Sequence, residues 1–221
     1  MKIDFVSDVA CPWCAIGLGA LEKAIANIKA TDPAFKVDIH FQPFQLNPDM
    51  PAEGQDVTEH LTQKYGSTAE QQAQTYAMIR ARGMEVGFDF REGGRGRTWN
   101  TFDCHRLLYW TGELGSGKDG ISIQHLMKKE MLKSYFTEGN NPASRASLMA
   151  VVNRLGLDAA KATAILDSDE YTAQVRARQR FYANQDIHAV PAVIINDRYL
   201  ISGGQPATVF ENALRQIAQT H

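Results

Sequence analysis

Two cysteines near the start of the chain have the spacing of a redox-active dithiol, in the segment Cys11-Pro12-Trp13-Cys14. Cysteines separated by two residues can close a disulfide on the first turn of a helix and open it again. At a helix start, the free backbone N–H groups and the positive end of the helix dipole favour a thiolate, which is the form that attacks disulfides. We therefore predict that Cys11 is the nucleophile and that Cys14 resolves the mixed disulfide.

The two residues between the cysteines suit the same position. Pro12 fits the first helical turn because it lacks only an N–H group that would have no partner within the helix. Trp13 places apolar surface beside the sulfur atom of the nucleophile. We expect both residues to contact the substrate.

Two other roles for the cysteine pair remain open at the level of the sequence. A structural zinc site, as in a zinc-stabilised binding module, needs four ligands, but the chain offers only Cys104 and six scattered histidines besides the pair. We therefore predict no metal site. The other alternative is a pair of inert core cysteines, since free cysteine is often buried. A core position is also what we expect for Cys104, which precedes Leu107 and Leu108 on a predicted helix.

Composition narrows the class of protein. The chain has 221 residues, of which 44% are hydrophobic, and a formal net charge of −2, so it is long enough for one substantial core. It has no long run of lysine or arginine and no apolar stretch of about eighteen residues, so we predict neither nucleic-acid nor membrane binding. The predicted fold begins at Met1, which leaves no room for a signal peptide before Cys11, and cytoplasm is the expected location.

The cysteine pair lies between a predicted strand and a predicted helix. Residues 2–6 and 37–41 alternate apolar and polar side chains as strands do, and residues 12–30 repeat apolar side chains at helical spacing. This β-α-β unit is the opening of a thioredoxin-like half.

The end of the chain supplies the complementary half. A helix predicted over residues 169–185 precedes two apolar runs joined by Asn196-Asp197, which predicts a β-hairpin, and a last helix follows Pro206. The expected fold class is α/β, a thioredoxin-like fold with a large all-helical insertion domain. We assign residues 1–50 and 169–221 to a discontinuous thioredoxin-like domain and residues 51–168 to the helical insertion.

Within the helical segment, several sequence signals predict where helices begin. The stretch Ser67-Thr68-Ala69-Glu70 has the form of a capping box, and Asn141-Pro142 places a cap before a first-turn proline. Residues 86–90 could form an extended piece. Otherwise, we expect no strands of consequence in this segment.

Several motifs along the whole chain resemble those of the DsbA-like thioredoxin family, and most closely those of its cytoplasmic FrnE-like subgroup. They are Ser7-Asp8-Val9-Ala10-Cys11-Pro12-Trp13-Cys14, Phe44-Gln45-Leu46-Asn47-Pro48, Asn100-Thr101 ahead of His105-Arg106-Leu107-Leu108, Tyr135-Phe136-Thr137-Glu138-Gly139, and Val190-Pro191 with Ile201-Ser202-Gly203-Gly204-Gln205-Pro206. The resemblance implies a dithiol–disulfide oxidoreductase or isomerase that acts on proteins, peptides or small molecules containing disulfides.

The resemblance also implies roles for Val190 and Pro191. Pro191 would be a cis-proline packed against the active-site cysteines, and the backbone of Val190 would pair with an extended substrate peptide. A trans proline at the start of an edge strand is the alternative. No cofactor is expected, although glutathione remains open as a reductant or a ligand.

Glutathione-dependent enzymes provide the alternative function. Enzymes similar to 2-hydroxychromene-2-carboxylate isomerase and kappa-class glutathione transferases belong to the same superfamily, but they usually carry serine where this chain has Cys11. The retained pair of thiols therefore favours disulfide exchange.

A loop with three arginines, residues 91–97, could hold a carboxylate of glutathione or of a peptide, and Asp8 could act in proton transfer. Solvation of the loop and a turn-forming role for Asp8 are the alternatives.

Overall fold

The computed structural model describes residues 1–117 and 120–219, and its central element is a four-stranded sheet. In this sheet β1 pairs parallel with β2 and antiparallel with β5, which in turn pairs antiparallel with β6. The two ends of the chain therefore meet in one sheet. The strands are β1 (Lys2–Ser7), β2 (Asp38–Pro43), β5 (Ala192–Ile195) and β6 (Tyr199–Ser202), and a separate pair consists of β3 (Gln55–Asp56) and β4 (Arg97–Thr98).

Helices pack against the sheet, and helices also make up most of the long middle segment of the chain. The predicted class, a thioredoxin-like α/β fold with a large helical insertion, is confirmed by this arrangement. The insertion is not all-helical as predicted, because it contains the short strands β3 and β4. The helices of the described residues are α1 (Pro12–Thr31), α2 (Val57–Tyr65), α3 (Ala69–Glu85), α4 (Phe102–Gly112), α5 (Ile123–Phe136), α6 (Arg145–Arg154), α7 (Ala159–Leu166), α8 (Thr172–Asn184) and α9 (Ala207–Ala218).

Strand β1 is central because both of its edges are paired. Phe5 lies opposite Phe41 of β2 and Val193 of β5, and all three side chains are buried. Helices α1 and α9 pack against each other beside this sheet. On α9 the buried side chains are Phe210, Leu214 and Ile217, which the 3.6-residue repeat places on one face. Burying each such side chain stabilises the fold by about 1.5–3 kcal/mol.

Helix α5 joins the middle segment to the rest of the protein. Its Leu132, Tyr135 and Phe136 lie in the same apolar core as the sheet, whereas its Met127 belongs to a second core formed mainly by α4, α6 and α7. Val9, in the turn between β1 and α1, is also part of this second core. Helix packing in the middle segment therefore reaches the turn that carries the cysteine pair. The division into domains at residues 51 and 168 stays a prediction.

Three local expectations for the middle segment are corrected by the structure. The capping box of α3 is closed by Thr68 and Gln71, not by Ser67 and Glu70. Helix α6 begins after Ser144, whose side chain accepts a hydrogen bond from Ser147 N, because the peptide after Asn141 first forms a turn. Residues 86–90 form no strand, and the two-residue strands β3 and β4 pair instead.

Among residues 1–117 and 120–219, no helix has both the length and the apolar character needed to cross a bilayer.

Candidate active site

Cys11 caps the amino terminus of α1, immediately before Pro12 at the first helical position. Its backbone is extended (φ −95°, ψ 112°), and the Cys14 N–H donates to Cys11 O at 3.1 Å, so the second cysteine lies one turn into the helix. The Cys11 side chain makes no capping hydrogen bond, so it leaves the first N–H groups of α1 unoccupied. This is the environment that favours a thiolate on the first cysteine.

The two thiols are free and differ in acidity. A hydrogen bond from the Cys14 thiol holds the pKa of Cys11 below its ordinary value, and the backbone of Cys14 and the charge of Arg95 act in the same direction. Burial raises the pKa of Cys14 well above its ordinary value, and proximity to Cys11 raises it further. Cys11 is 3% exposed and Cys14 is fully buried. The first thiol therefore ionises more readily than the second.

Cys11 also contacts the loop before β5. Its Sγ atom lies 3.6 Å from Val190 O, and the peptide bond between Val190 and Pro191 is cis. Pro191 O accepts a hydrogen bond of 2.8 Å from Gly203 N, which ties this loop to the end of β6. Val190 is half-buried, so part of the residue beside the sulfur faces solvent.

Two glycines allow this loop to pack closely against α1. A Cβ atom on Gly17 would approach Pro191 Cγ to 3.0 Å, and one on Gly204 would approach Trp13 O to 3.0 Å. Pro12 and Trp13, which follow Cys11 in the chain, are half-buried. The structure thus brings together all six residues predicted for the site, on α1 and on the loops around β5 and β6.

Asp8 lies buried beneath the cysteine turn. Its carboxylate accepts hydrogen bonds from Ala10 N at 3.3 Å and Leu46 N at 2.8 Å, and His105 Nε2 lies 3.4 Å from it without hydrogen-bond geometry. Burial raises the pKa of Asp8, but the contacts with His105 and Leu46 N outweigh it and hold the pKa below its ordinary value. Asp8 is therefore a buried carboxylate, and its charge raises the pKa of Cys11.

Lys128 was missed by the sequence analysis. It lies on α5, it is fully buried, and its Nζ atom has no hydrogen-bond partner among the residues that the structure describes. Burial lowers the pKa of Lys128, and the groups that oppose this effect through their charge are Cys14, Asp8, Cys104 and Cys11. Nothing in the sequence distinguishes Lys128 from the neighbouring Lys129, because their difference in burial arises only from helix packing.

The arginine-rich loop contributes one residue to the site. Arg95 Nη1 donates a hydrogen bond to the carbonyl oxygen of Ala10, the residue before Cys11, and its guanidinium lies 5.8 Å from the centres of the Tyr135 and Phe136 rings. Arg91 and Arg97 of the same loop are exposed.

Cys104 has no redox partner in the described structure. It is fully buried in the second core, its Sγ lies 3.1 Å from Pro142 O, and burial raises the pKa of its thiol. Within residues 1–117 and 120–219, no group of three or more His, Cys, Asp or Glu side chains is placed to hold a metal ion.

This fold and this pair of unequal thiols define a thioredoxin-fold protein with a dithiol site. The sequence profile of the DSBA-like thioredoxin domain matches residues 2–215, and the chain belongs to that family of oxidoreductases.

Two individual proteins are similar to this chain over nearly its whole length. The crystal structure of a probable DsbA oxidoreductase from Streptomyces coelicolor superposes with a TM-score of 0.88 at 29% identity, covering 100% of this chain and 91% of that chain. The uncharacterised protein YwbO of Bacillus subtilis (strain 168) is 27% identical over 215 residues, which cover 97% of this chain and 96% of YwbO.

A 2-hydroxychromene-2-carboxylate isomerase shares the fold. Its structure superposes with a TM-score of 0.71 at 16% identity, covering 100% of this chain and 97% of that chain. At this level of identity, the likeness concerns the fold alone.

Proposed function

We propose that this protein is a thiol–disulfide oxidoreductase or isomerase that uses Cys11 and Cys14 on disulfides of proteins, peptides or small molecules. The observation that carries the proposal is the opposite shift of the two thiol pKa values at the start of one helix. A low pKa supplies the attacking thiolate at neutral pH, and a high pKa keeps the second thiol protonated until it is needed.

The reaction has two exchange steps. In the first, the Cys11 thiolate attacks a substrate disulfide, which forms a Cys11 mixed disulfide and releases one substrate thiolate. In the second, Cys14 loses its proton and attacks Cys11 Sγ, which forms the Cys11–Cys14 disulfide and releases the second thiolate. The proton from Cys14 and one from water convert the two thiolates to thiols. An external thiol reductant then restores the dithiol, and glutathione is one candidate.

The docking surface follows from the residues around Cys11 Sγ. The backbone of Val190 lies against this atom, and Pro12 and Trp13, which follow Cys11 in the chain, keep part of their apolar surface accessible. An extended peptide can pair its backbone with that of Val190 while its disulfide meets Cys11. Pro191 shapes this surface through its contact with α1.

The experiment that tests the proposal separates the roles of the two thiols. Cys14→Ser should accumulate a mixed disulfide on Cys11 with a disulfide substrate and lose turnover, whereas Cys11→Ser should form no adduct. Non-reducing electrophoresis and mass spectrometry detect the adducts. Full turnover of Cys14→Ser without a trapped adduct would contradict the exchange mechanism.

A glutathione-dependent isomerase or transferase stays the alternative, and it predicts a different result. Such an enzyme has no use for a resolving thiol, so Cys14→Ser would retain activity and the wild type would isomerise an aromatic substrate only with glutathione present. The retention of two thiols with opposite pKa shifts favours exchange. Membership of the FrnE-like subgroup and a cytoplasmic location are further parts of the proposal.

A further inference from the structure

Two cations from the middle segment approach the cysteine pair along different routes. Arg95 comes from the loop before β4 and is half-buried at the surface, whereas Lys128 comes from α5 and is fully buried in the interior. Neither residue belongs to the strands or helices that carry the cysteines. Each therefore places a positive charge at the site that the thioredoxin-like elements do not supply.

Arg95 is directed to the first thiol. Its hydrogen bond to Ala10 O holds the guanidinium at the residue that precedes Cys11, and the rings of Tyr135 and Phe136 support it. Its charge lowers the pKa of Cys11, against the opposite effect of Asp8.

Lys128 acts on the second thiol, because its charge lowers the pKa of Cys14 against the effect of burial. The titratable and charged groups that face it are Cys14 and Cys11 from α1 and its cap, Asp8 from the turn after β1, and Cys104 from α4. Its Nζ atom is fully buried and bonded to none of them. The carboxylate of Asp8 is one counter-charge for this buried ammonium, and a thiolate on Cys14 is a second.

We propose that the two cations serve the two exchange steps separately: Arg95 promotes the attack by Cys11, and Lys128 promotes the resolution by Cys14. This inference rests on the proposed exchange function and assigns residues to its individual steps. Both residues act on a sulfur through their charge, and neither forms a bond to the substrate.

The order in which the two sulfur atoms become negatively charged explains why a second cation is needed. While Cys11 is a thiolate, its negative charge opposes the ionisation of Cys14. Formation of the mixed disulfide removes that charge, and Lys128 can then stabilise the thiolate that forms on Cys14. The proton that leaves Cys14 ends on the departing substrate thiolate, so protons and electrons balance.

Single-turnover kinetics with bis(2-hydroxyethyl) disulfide test the two roles. This probe carries no charge, so Arg95 cannot act on it as a binding site for a carboxylate. At a pH below the pKa of Cys11, where the rate follows the thiolate fraction, we expect Arg95→Met to slow the first step by about tenfold, which corresponds to one pKa unit, and to leave the second step unchanged. Lys128→Met should slow the second step by about tenfold, so that the mixed disulfide accumulates, and leave the first unchanged.

Exposed neighbours provide matched controls. Arg91→Met removes a charge from the same loop as Arg95, and Lys129→Met removes one from the same helix as Lys128; both should leave the two rates unchanged. Equal slowing of both steps by Arg95→Met or Lys128→Met, or an unchanged mixed-disulfide lifetime in Lys128→Met, would overturn the inference. Absence of any adduct in Cys14→Ser would instead overturn the proposed function itself.

An NMR titration of the wild-type protein tests the role of Lys128 even if Lys128→Met does not fold. The Cε resonance of Lys128 should titrate at lower pH in the oxidised protein than in the reduced protein, because oxidation removes the thiolate. Titration at the same pH in both forms would contradict the assignment of Lys128. The resonance of Lys129 serves as the reference.

Discussion

The Sγ atom of Cys11 lies 3.6 Å from the carbonyl oxygen of Val190, although 179 positions separate the two residues in the chain. The contact exists because β1, which precedes Cys11, and β5, which follows Val190, are neighbours in the sheet. The site is therefore assembled from both ends of the chain, and four predictions probe its parts and their support.

The first prediction concerns the reactivity of the two thiols. Alkylation of Cys11 should show a titration below the ordinary cysteine pKa of about 8.5, because the hydrogen bond from Cys14 and the charge of Arg95 stabilise its thiolate. Cys14 should react only at much higher pH, because it is fully buried and its pKa is raised. Rates of alkylation at each cysteine against pH, followed by mass spectrometry, provide the measurement. Faster labelling of Cys14 than of Cys11 would reverse the assigned roles.

The second prediction concerns the close contact between α1 and Pro191. Gly17→Ala adds a methyl group 3.0 Å from Pro191 Cγ, so we expect it to displace the loop and slow disulfide exchange. Overpacking of this kind destabilises a protein by about 1–3 kcal/mol. Exchange rates and denaturant unfolding measure both effects.

Gly19→Ala is the matched control on the same helix. Its new methyl group meets Val86 at 2.9 Å rather than Pro191, so it should change stability without slowing exchange. Equal rates for the two variants would show that the Pro191 contact does not influence the reaction.

The third prediction concerns Asp8 and acid stability. Because the pKa of Asp8 is lower in the folded protein than the ordinary value of about 3.9, its stabilising effect is present above that pH and is lost as the pH falls through the folded-state pKa. Asp8→Asn should therefore weaken the dependence of the free energy of unfolding on pH in this acid range. It should also lower the free energy of unfolding at neutral pH by about 1–3 kcal/mol, because Asn has one acceptor for two N–H groups.

Asp8→Asn should have a second effect that a purely structural role would not produce. Removing the negative charge should lower the pKa of Cys11 further, which the alkylation profile would show. Asp49→Asn, at an exposed position, should change stability by no more than about 0.5 kcal/mol and leave the profile unchanged. A Cys11 profile that does not respond to Asp8→Asn would contradict the electrostatic contribution of Asp8.

The fourth prediction concerns the helical segment. Arg106 is 4% exposed and donates hydrogen bonds to the backbone oxygens of Ile165, Ser168 and Glu170, which connect α4 to the last turn of α7 and to the chain before α8. Arg106→Met should lower the free energy of unfolding by about 2–4 kcal/mol, because the buried oxygens lose their donors.

Arg178→Met removes an exposed arginine of α8 and serves as the control, with a change expected within about 0.5 kcal/mol. Urea unfolding of the two variants gives the comparison. A loss as small for Arg106→Met as for Arg178→Met would show that Arg106 does not hold these helices together.

The sequence determined the features that depend on local spacing. The cysteine pair with Pro12 identifies a helix start, and alternation and helical repeats identify β1, α1, the hairpin of β5 and β6, and α9. These patterns are readable because burial of one face imposes a period of 2 or 3.6 on the residues themselves. The order of these elements was enough to predict the thioredoxin-like fold.

Only the tertiary structure decided which charges surround the thiols. Lys128 and Lys129 are consecutive lysines, yet one is fully buried and the other is exposed, because α5 turns one residue towards the cysteines and the next towards solvent. Likewise, Arg95 contacts the site and its neighbours Arg91 and Arg97 do not. Burial and proximity between distant segments set these electrostatic effects, and neither quantity is encoded in the spacing of residues along one helix or loop.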